Sequence, residues 1–174
     1  DVFYDFYRAK MVHEDAKPNQ AHKKLAELEQ QGILRSVITQ NVDGLHQAAG
    51  SKRVHELHGS IHRNYCMKCS KRYGLDAIME ADGVPYCECG GIIRPDVVLY
   101  EEALDQQVIQ AAVEDITQAE TLIIAGTSRV VYPAAGLVEF FNGKNLIVIN
   151  RDPSALDKTA DHCLAMNVGE AFDW

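Results

Sequence analysis

Short apolar runs alternate with amphipathic stretches along most of the chain, and this pattern predicts its secondary structure. Strands are expected at residues 36–38, 54–57, 97–100, 121–125 and 146–149. Helices are expected at residues 1–12, 19–31, 104–118 and 133–141, and a further short helix ends at Gly50. The first helix places these residues on one packing face: Val2, Phe3, Phe6, Tyr7 and Met11. Continuous apolar strands that alternate with helices indicate an α/β fold whose parallel sheet is covered on both faces.

Polar clusters follow several of the predicted strands. Residues 39–46 (TQNVDGLH) bring two amides, a carboxylate and an imidazole directly after a strand, and residues 56–60 (ELHGS) close the next apolar run. Ligands of open α/β sheets bind at the carboxyl ends of strands, so both clusters are predicted to face one cleft. Residues 126–128 (GTS) and Asn150 also follow apolar strands, where a dinucleotide would meet backbone N–H groups and small polar side chains. A single Gly-Thr-Ser is common at strand ends, and its weight here comes from this recurrence.

Four of the five cysteines form two close pairs, Cys66 with Cys69 and Cys87 with Cys89. This spacing is typical of a zinc ribbon, in which four thiolates surround one structural Zn²⁺ and leave no position open for catalysis. A disulfide pairing is disfavoured in a cytosolic protein, and a redox dithiol would not need the second pair. Cys163 lies in an apolar run and is predicted to be a buried core thiol.

The charge balance limits the possible partners. With 17 Lys and Arg against 25 Asp and Glu, the 174-residue chain carries a net charge of −8. Binding to nucleic-acid phosphates or to an anionic membrane surface is therefore disfavoured, whereas a basic substrate segment would be attracted. The sequence has neither a signal peptide nor an apolar run near the ~20 residues needed to span a bilayer, so the cytosol is expected. Because the chain begins at Asp1, we expect a preceding segment, which leaves a targeting signal open.

Taken together, the motifs resemble those of the sirtuins, NAD-dependent protein lysine deacylases, and especially bacterial members. The similarity covers essentially the whole chain, in the order of the family. The matching motifs are residues 17–19 (KPN) with His22, 39–46, 56–60, the two cysteine pairs, 94–98 (RPDVV), 126–128, 133–136 (PAAG) and 149–150 (IN).

The resemblance implies a Rossmann-like, doubly wound parallel sheet with a small inserted zinc-ribbon module. Residues 18–60 and 96–174 would form the NAD-binding domain, residues 61–95 the zinc module, and residues 1–17 the tail of a small helical module. In the implied reaction, the acyl oxygen of a modified lysine attacks C1′ of the nicotinamide ribose of NAD, nicotinamide leaves, and O-acyl-ADP-ribose is formed.

The resemblance also implies roles for individual residues. His58 would be the general base that takes a proton from a ribose hydroxyl, and its imidazole chemistry suits this role near neutral pH. Asn41 would hold the ribose and the attacking water, Asp43 would contact the nicotinamide carboxamide, and Gln40 would line the same pocket. The adenosine half of NAD would be held by Gly126, Thr127, Ser128 and Asn150, with the backbone near Val168 at the adenine. The substrate backbone would pair with Asp96, Val97 and Val98.

Three departures from the family pattern lead to further expectations. The glycine-rich phosphate loop, its Asp-Phe-Arg and the first sheet strand would precede Asp1, so we expect this chain by itself to bind NAD poorly. Arg129 stands where the family usually has an apolar residue. Glu101 stands where glycine is common, and its charge is predicted to favour lysine-rich substrates.

Two other readings fit the same residues: ADP-ribosyl transfer on the same fold, and a non-catalytic zinc-ribbon interaction module. Strand ends that carry both His58 and Asn41 argue against the second reading. The sequence does not separate the first from deacylation, and it leaves the protein substrate, the acyl-chain preference and the oligomeric state open.

Overall fold

The computed structural model describes residues 2–127 and 134–174. Its helices are α1 (Val2–Phe6), α2 (Gln20–Gln30), α3 (Leu45–Ala49), α4 (Asp76–Met79), α5 (Gln106–Thr117), α6 (Ala134–Leu137) and α7 (Val168–Ala171). A π-helical turn follows α1 at Tyr7–Met11, and 3₁₀ turns lie at Val138–Phe140 and Ala155–Lys158. The strands are β1 (Val37–Thr39), β2 (Val54–Glu56), β3 (Gly59–Cys66), β4 (Arg72–Tyr73), β5 (Ile93–Val97), β6 (Thr121–Ala125), β7 (Asn145–Ile149) and β8 (His162–Leu164). None of the described helices combines the length and the apolar character needed to cross a membrane.

The chain divides into two compact units, each built from separate segments. Unit 1 comprises Asp1–Ala16, Gln40–Gly44 and His58–Leu104, and unit 2 comprises Lys17–Thr39, Leu45–Leu57 and Asp105–Trp174. The chain therefore passes between the units several times. The domain boundaries expected from the sequence stay a prediction.

Unit 1 contains an antiparallel sheet with the strand order β4-β3-β5. A register shift between Ser60 and Asn64 interrupts the pairing of β3 with β5. The Asn64 side chain lies fully buried at this bulge and donates to the carbonyls of Ile61 (3.2 Å) and Gly74 (2.9 Å). These bonds satisfy one backbone carbonyl that the bulge leaves unpaired and a second one just after β4.

The strand predicted at residues 97–100 was wrong in its bounds, because β5 covers Ile93–Val97. The pairing with β3 begins at Ile93 and ends at Val97, after which the chain turns. Pro95 made a strand at Ile93–Val97 difficult to predict, since proline is rare in sheets except on edge strands such as β5.

The packing face predicted for the first helix was only partly right. Tyr7 is buried and Met11 packs against the core, whereas Val2 and Phe6 remain 84% and 56% exposed. The π-helical turn that begins at Tyr7 changes the angular spacing of the side chains, so a regular helical pattern does not hold across it. Tyr4 is buried instead, and its hydroxyl donates to the carbonyl of Ile93 at 2.8 Å.

Unit 2 contains parallel strands, as the apolar runs predicted. Strand β1 pairs with β2, and β6, β7 and β8 form a second sheet in that order. These pairings confirm the expected α/β class with parallel sheets. The expectation of cover on both faces holds for β7, but Ile123 of β6 is 38% exposed and all of β8 is exposed, because both strands lie at sheet edges.

Cys163 lies on the edge strand β8 and is exposed, so the prediction of a buried thiol was wrong. The apolar run around it reflects strand formation rather than burial. Its thiol lies 3.6 Å from the carbonyl oxygen of Asp157.

Local capping explains where the longer helices of unit 2 begin. The side chain of Asn19 accepts a hydrogen bond from the backbone N–H of His22 at 3.1 Å, and the His22 ring accepts one from the Asn19 backbone. This capping box sets the start of α2 at Asn19 and gives His22 a structural role. Asp105 caps α5 in a similar way and accepts from the N–H of Gln107 at 2.8 Å.

Asp115 of α5 is a buried carboxylate that binds several basic side chains of unit 2. Its side chain is 2% exposed and accepts hydrogen bonds at 2.7 Å from Arg35, Arg53 and the His55 ring. Burial by itself would raise the pKa of Asp115, but the hydrogen bonds from these groups and from Ser36 outweigh it and hold the pKa well below its usual value. The carboxylate therefore joins the segment before β1, strand β2 and helix α5.

We expect Asp115→Asn to lower the free energy of unfolding by about 3 kcal/mol, because it leaves two arginines facing a neutral amide. The folded pKa is depressed, so this stabilisation is present above the unfolded pKa of about 3.9 and is lost as pH falls below it. Urea denaturation at pH 7 and at about pH 2.5, which lies below the unfolded pKa, measures both effects. Glu114→Gln on the same helix is exposed and serves as the control, and equal losses in the two variants would contradict the prediction.

Candidate functional site

The polar loop of Gln40–Gly44 is fastened to the beginning of β3. The N–H of Ile61 donates to the carbonyl of Val42 at 3.0 Å, and the His62 ring lies 3.0 Å from the carbonyl oxygen of Asp43. Gly44 has a φ of +71°, and a Cβ there would lie 2.7 Å from the His62 ring. Glycine is therefore required for the loop to close against His62.

His58 lies in the turn between β2 and β3 and contacts the same loop. Its Nδ1 lies 3.0 Å from the carbonyl oxygen of Gln40. A carbonyl can only accept, so Nδ1 carries the proton, and in the neutral ring Nε2 keeps the lone pair. The half-buried imidazole is thus oriented with a basic nitrogen, as a general base requires.

The glycine after His58 allows β3 and β5 to approach each other closely. Gly59 has a φ of +80°, and a Cβ there would come within 1.9 Å of the Asp96 carbonyl oxygen. One residue beyond β5, the N–H of Val98 donates to the carbonyl of His58 at 3.0 Å. The predicted substrate residues Asp96, Val97 and Val98 therefore lie directly beside the predicted base.

In unit 2, the structure brings together four of the residues predicted to hold the adenosine half of NAD. The N–H of Gly126 donates to the carbonyl of Ile149 at 3.0 Å, and the N–H of Thr127 donates to the side chain of Asn150 at 2.9 Å. Gly126 has a φ of +67°, and Val168 lies 3.6 Å from where its Cβ would be. Ser128 and the neighbouring Arg129 lie outside the described residues.

The environment of Asn150 indicates that this strand end fits a polar ligand. The residue is 7% exposed, and its Nδ2 has no hydrogen-bond acceptor among the described residues. A buried amide without a partner is costly. A ribose or phosphate oxygen at the carboxyl ends of β6 and β7 would satisfy it, so the residues fit the group.

The four ribbon cysteines of unit 1 also converge. Their Sγ atoms lie within 4.8 Å of one another. The Cys66–Cys89 and Cys69–Cys87 sulfur distances are 3.5 and 3.6 Å. Four sulfurs at about 2.3 Å from a central Zn²⁺ would be about 3.8 Å apart, so this donor set fits a tetrahedral structural zinc.

A tyrosine supports the zinc site from outside the ligand set. The Tyr73 hydroxyl donates to Cys87 Sγ at 3.0 Å. This hydrogen bond, aided by a backbone N–H of Cys89, lowers the pKa of Cys87 to about 6 and thus favours the thiolate that zinc requires. Tyr73 thereby orients one ligand.

Sequence reasoning missed the parts played by His62, Gly59 and Tyr73. Each acts through a contact with a residue distant in the chain, as Tyr73 does with Cys87. The only local signals were a second histidine after the 56–60 cluster and an aromatic residue shortly after the first cysteine pair.

Known proteins resemble this chain both in sequence and in structure. A model of the Sir2 family matches residues 1–133. An NAD-dependent protein deacetylase of Clostridium acetobutylicum is 54% identical over 173 residues, 98% of this chain and 71% of that relative. A solved Sir2 complex with a p53 peptide and NAD+ has a TM-score of 0.90 at 40% identity and covers 98% of this chain and 74% of its own. A second Sir2 complex, with an inhibitor, 2′-O-acetyl-ADP-ribose and a deacetylated p53 peptide, has a TM-score of 0.90 at 39% identity, with coverages of 98% and 76%.

These similarities extend over nearly the whole chain and include its fold. They confirm the resemblance stated from the motifs and the expected Rossmann-like architecture. The chain therefore belongs to the Sir2 family.

Proposed function

We propose that this chain removes acyl groups from protein lysines with NAD as co-substrate and yields nicotinamide and O-acyl-ADP-ribose. One observation carries the proposal: the Gln40 carbonyl fixes His58 so that Nε2 is basic, at the edge of a loop that holds an amide and a carboxylate. The relatives support both ends of the reaction, because Sir2 structures contain NAD+ with a peptide and 2′-O-acetyl-ADP-ribose with a deacetylated peptide.

The polar loop of unit 1 would hold the reacting half of NAD. In this proposal NAD supplies the activated ribose carbon from which nicotinamide leaves. Asn41 orients the ribose and a water, Asp43 accepts from the nicotinamide carboxamide, and Gln40 lines the pocket. His58 Nε2 takes the proton of a ribose hydroxyl.

The strand ends of unit 2 would hold the adenosine half. The buried amide of Asn150 would donate to an oxygen of the ligand. Because Gly126 has no side chain, its backbone could approach the ligand closely. Thr127, Ser128 and the backbone near Val168 would complete this half. The zinc ion would be structural, held by Cys66, Cys69, Cys87 and Cys89 with no open position.

The acylated peptide would extend the sheet of unit 1. Strand β5 lies at an edge of that sheet, and the predicted substrate residues Asp96, Val97 and Val98 would meet the peptide there through the backbone groups of Val97, which face away from β3. The net charge of −8 favours a protein substrate over nucleic acid. The cytosol suits the thiolate ligands, since a reducing compartment keeps them from forming disulfides.

An acetyl-lysine peptide tests the proposal. The protein is incubated with NAD and the peptide, both as the 174-residue chain and with an N-terminal phosphate-loop segment added. We expect nicotinamide and deacetylated peptide in equal amounts, and neither product from a peptide with unmodified lysine. Nicotinamide release with ADP-ribose attached to protein would instead establish ADP-ribosyl transfer. No nicotinamide from either form would overturn the proposal.

A further inference from the structure

The turn that follows β5 presents two side chains to solvent. The N–H of Glu102 donates to the carbonyl of Leu99 at 3.1 Å, which closes a four-residue turn. Arg94 and the N–H of Leu99 fix the Glu102 carboxylate, the latter at 2.9 Å. The two central residues, Tyr100 and Glu101, point outward, and Tyr100 is fully exposed.

Glu101 occupies a position that suits glycine. Its φ of +69° lies in the left-handed region, as at the third position of a type II turn. The fold gains nothing in return, because no hydrogen bond or ion pair of the Glu101 carboxylate occurs within residues 2–127 and 134–174. The stability of the turn therefore does not explain why a glutamate occupies this position.

The neighbouring carboxylates of Asp96 and Glu102 each pair with an arginine, whereas the Glu101 carboxylate is available to bind a cation. Asp96 accepts from Arg63 at 3.0 Å, and Glu102 accepts from Arg94 at 2.6 Å. In the turn itself, an exposed aromatic side chain and an exposed carboxylate occupy successive positions, Tyr100 and Glu101. Both groups attract a cation, the ring through its face and the carboxylate through its charge.

The turn adjoins the edge at which the substrate would pair. Val98 donates to His58 on the β3 side, so the backbone groups of Val97, one residue earlier, lie on the opposite edge of β5. No strand of the described chain pairs with that edge. A peptide that extends the sheet there would run past the turn at Tyr100 and Glu101.

We propose that Tyr100 and Glu101 form a subsite for a lysine or arginine side chain of the substrate, near the acyl-lysine. This inference rests on the proposed deacylase function and names the peptides that the site prefers. It predicts a preference for basic flanks that is set by one carboxylate and is weakened by salt.

The test compares kcat/KM for two sets of acetyl-lysine peptides, one with alanine flanks and one with a single lysine placed at successive flanking positions. We expect at least one lysine position to be favoured about two- to five-fold in the wild type, as suits an exposed ion pair. Glu101→Gln keeps the size of the side chain and should abolish this ratio, and Tyr100→Ala should reduce it. Glu14→Gln removes the same charge from an exposed site of unit 1 and should keep the ratio.

The outcomes separate this inference from the function on which it rests. If no peptide is deacylated, the proposed function fails. If all peptides react but no lysine position is favoured, or the preference survives in Glu101→Gln, the subsite is wrong and the function stands. Glu101→Gly supplies a second check, because it should raise the melting temperature while losing the preference.

Discussion

Chelation of zinc is expected to unfold the zinc ribbon and to disrupt the core of unit 1. Two of the four ligands, Cys66 and Cys87, are core residues themselves and pack in one cluster with Tyr4, Tyr7 and Ile78. Without the ion, four cysteine sulfurs would lie within 4.8 Å of one another in a partly buried site with no metal to hold them. Zinc binding to such modules is worth about 10–16 kcal/mol, more than the stability of most domains.

Thermal unfolding with and without a strong chelator, followed by circular dichroism and by the zinc content, measures this effect. We expect one zinc ion per chain and a melting transition that falls or disappears on chelation. Cys163→Ser is the matched control, because this thiol lies on β8 outside the cluster and its loss should leave zinc content unchanged. A chelated protein with the original transition would contradict a structural role for the metal.

Replacing His58 by alanine is expected to lower kcat/KM for an acetyl-lysine peptide by at least about 100-fold, the usual range for a general base. The change removes the nitrogen that the Gln40 carbonyl orients, while the zinc cluster does not involve His58. Zinc content and melting temperature should therefore stay close to those of the wild type.

His13→Ala is the control for the loss of a histidine, since this residue is exposed in the same unit and has no place in the proposed site. It should retain the wild-type rate. A His58→Ala variant with wild-type activity would show that another group takes the proton. Loss of activity together with loss of zinc would show that the substitution damages the fold instead.

Much of this architecture was predictable, because local patterns carry it. The strand at Thr121–Ala125 was predicted with its observed bounds, and the cysteine spacing predicted the cluster that the structure shows. The helix predicted at residues 19–31 was equally local, and Asn19 caps it in the structure.

What could not be predicted depends on contacts between distant parts of the chain. The burial of Tyr4 in place of Phe6 follows from a π-helical turn and a hydrogen bond to Ile93. The exposure of Cys163 follows from its place on an edge strand, which an apolar run does not reveal. The need for glycine at position 59 appears only when β5 is in place.

The ribbon thiols differ in exposure, and this difference decides how an oxidant would attack them. Cys66 and Cys87 are buried, Cys89 is half-buried, and Cys69 is exposed. Peroxide reacts with the cysteine it can reach, so Cys69 would be oxidised first. Loss of that ligand would leave the zinc ion with three cysteine ligands. Because Cys66 and Cys87 are core residues as well as ligands, a disturbed metal site would also disrupt the core. Oxidative damage to the ribbon would thus begin at one exposed sulfur, that of Cys69, and would be observed as a loss of folded protein.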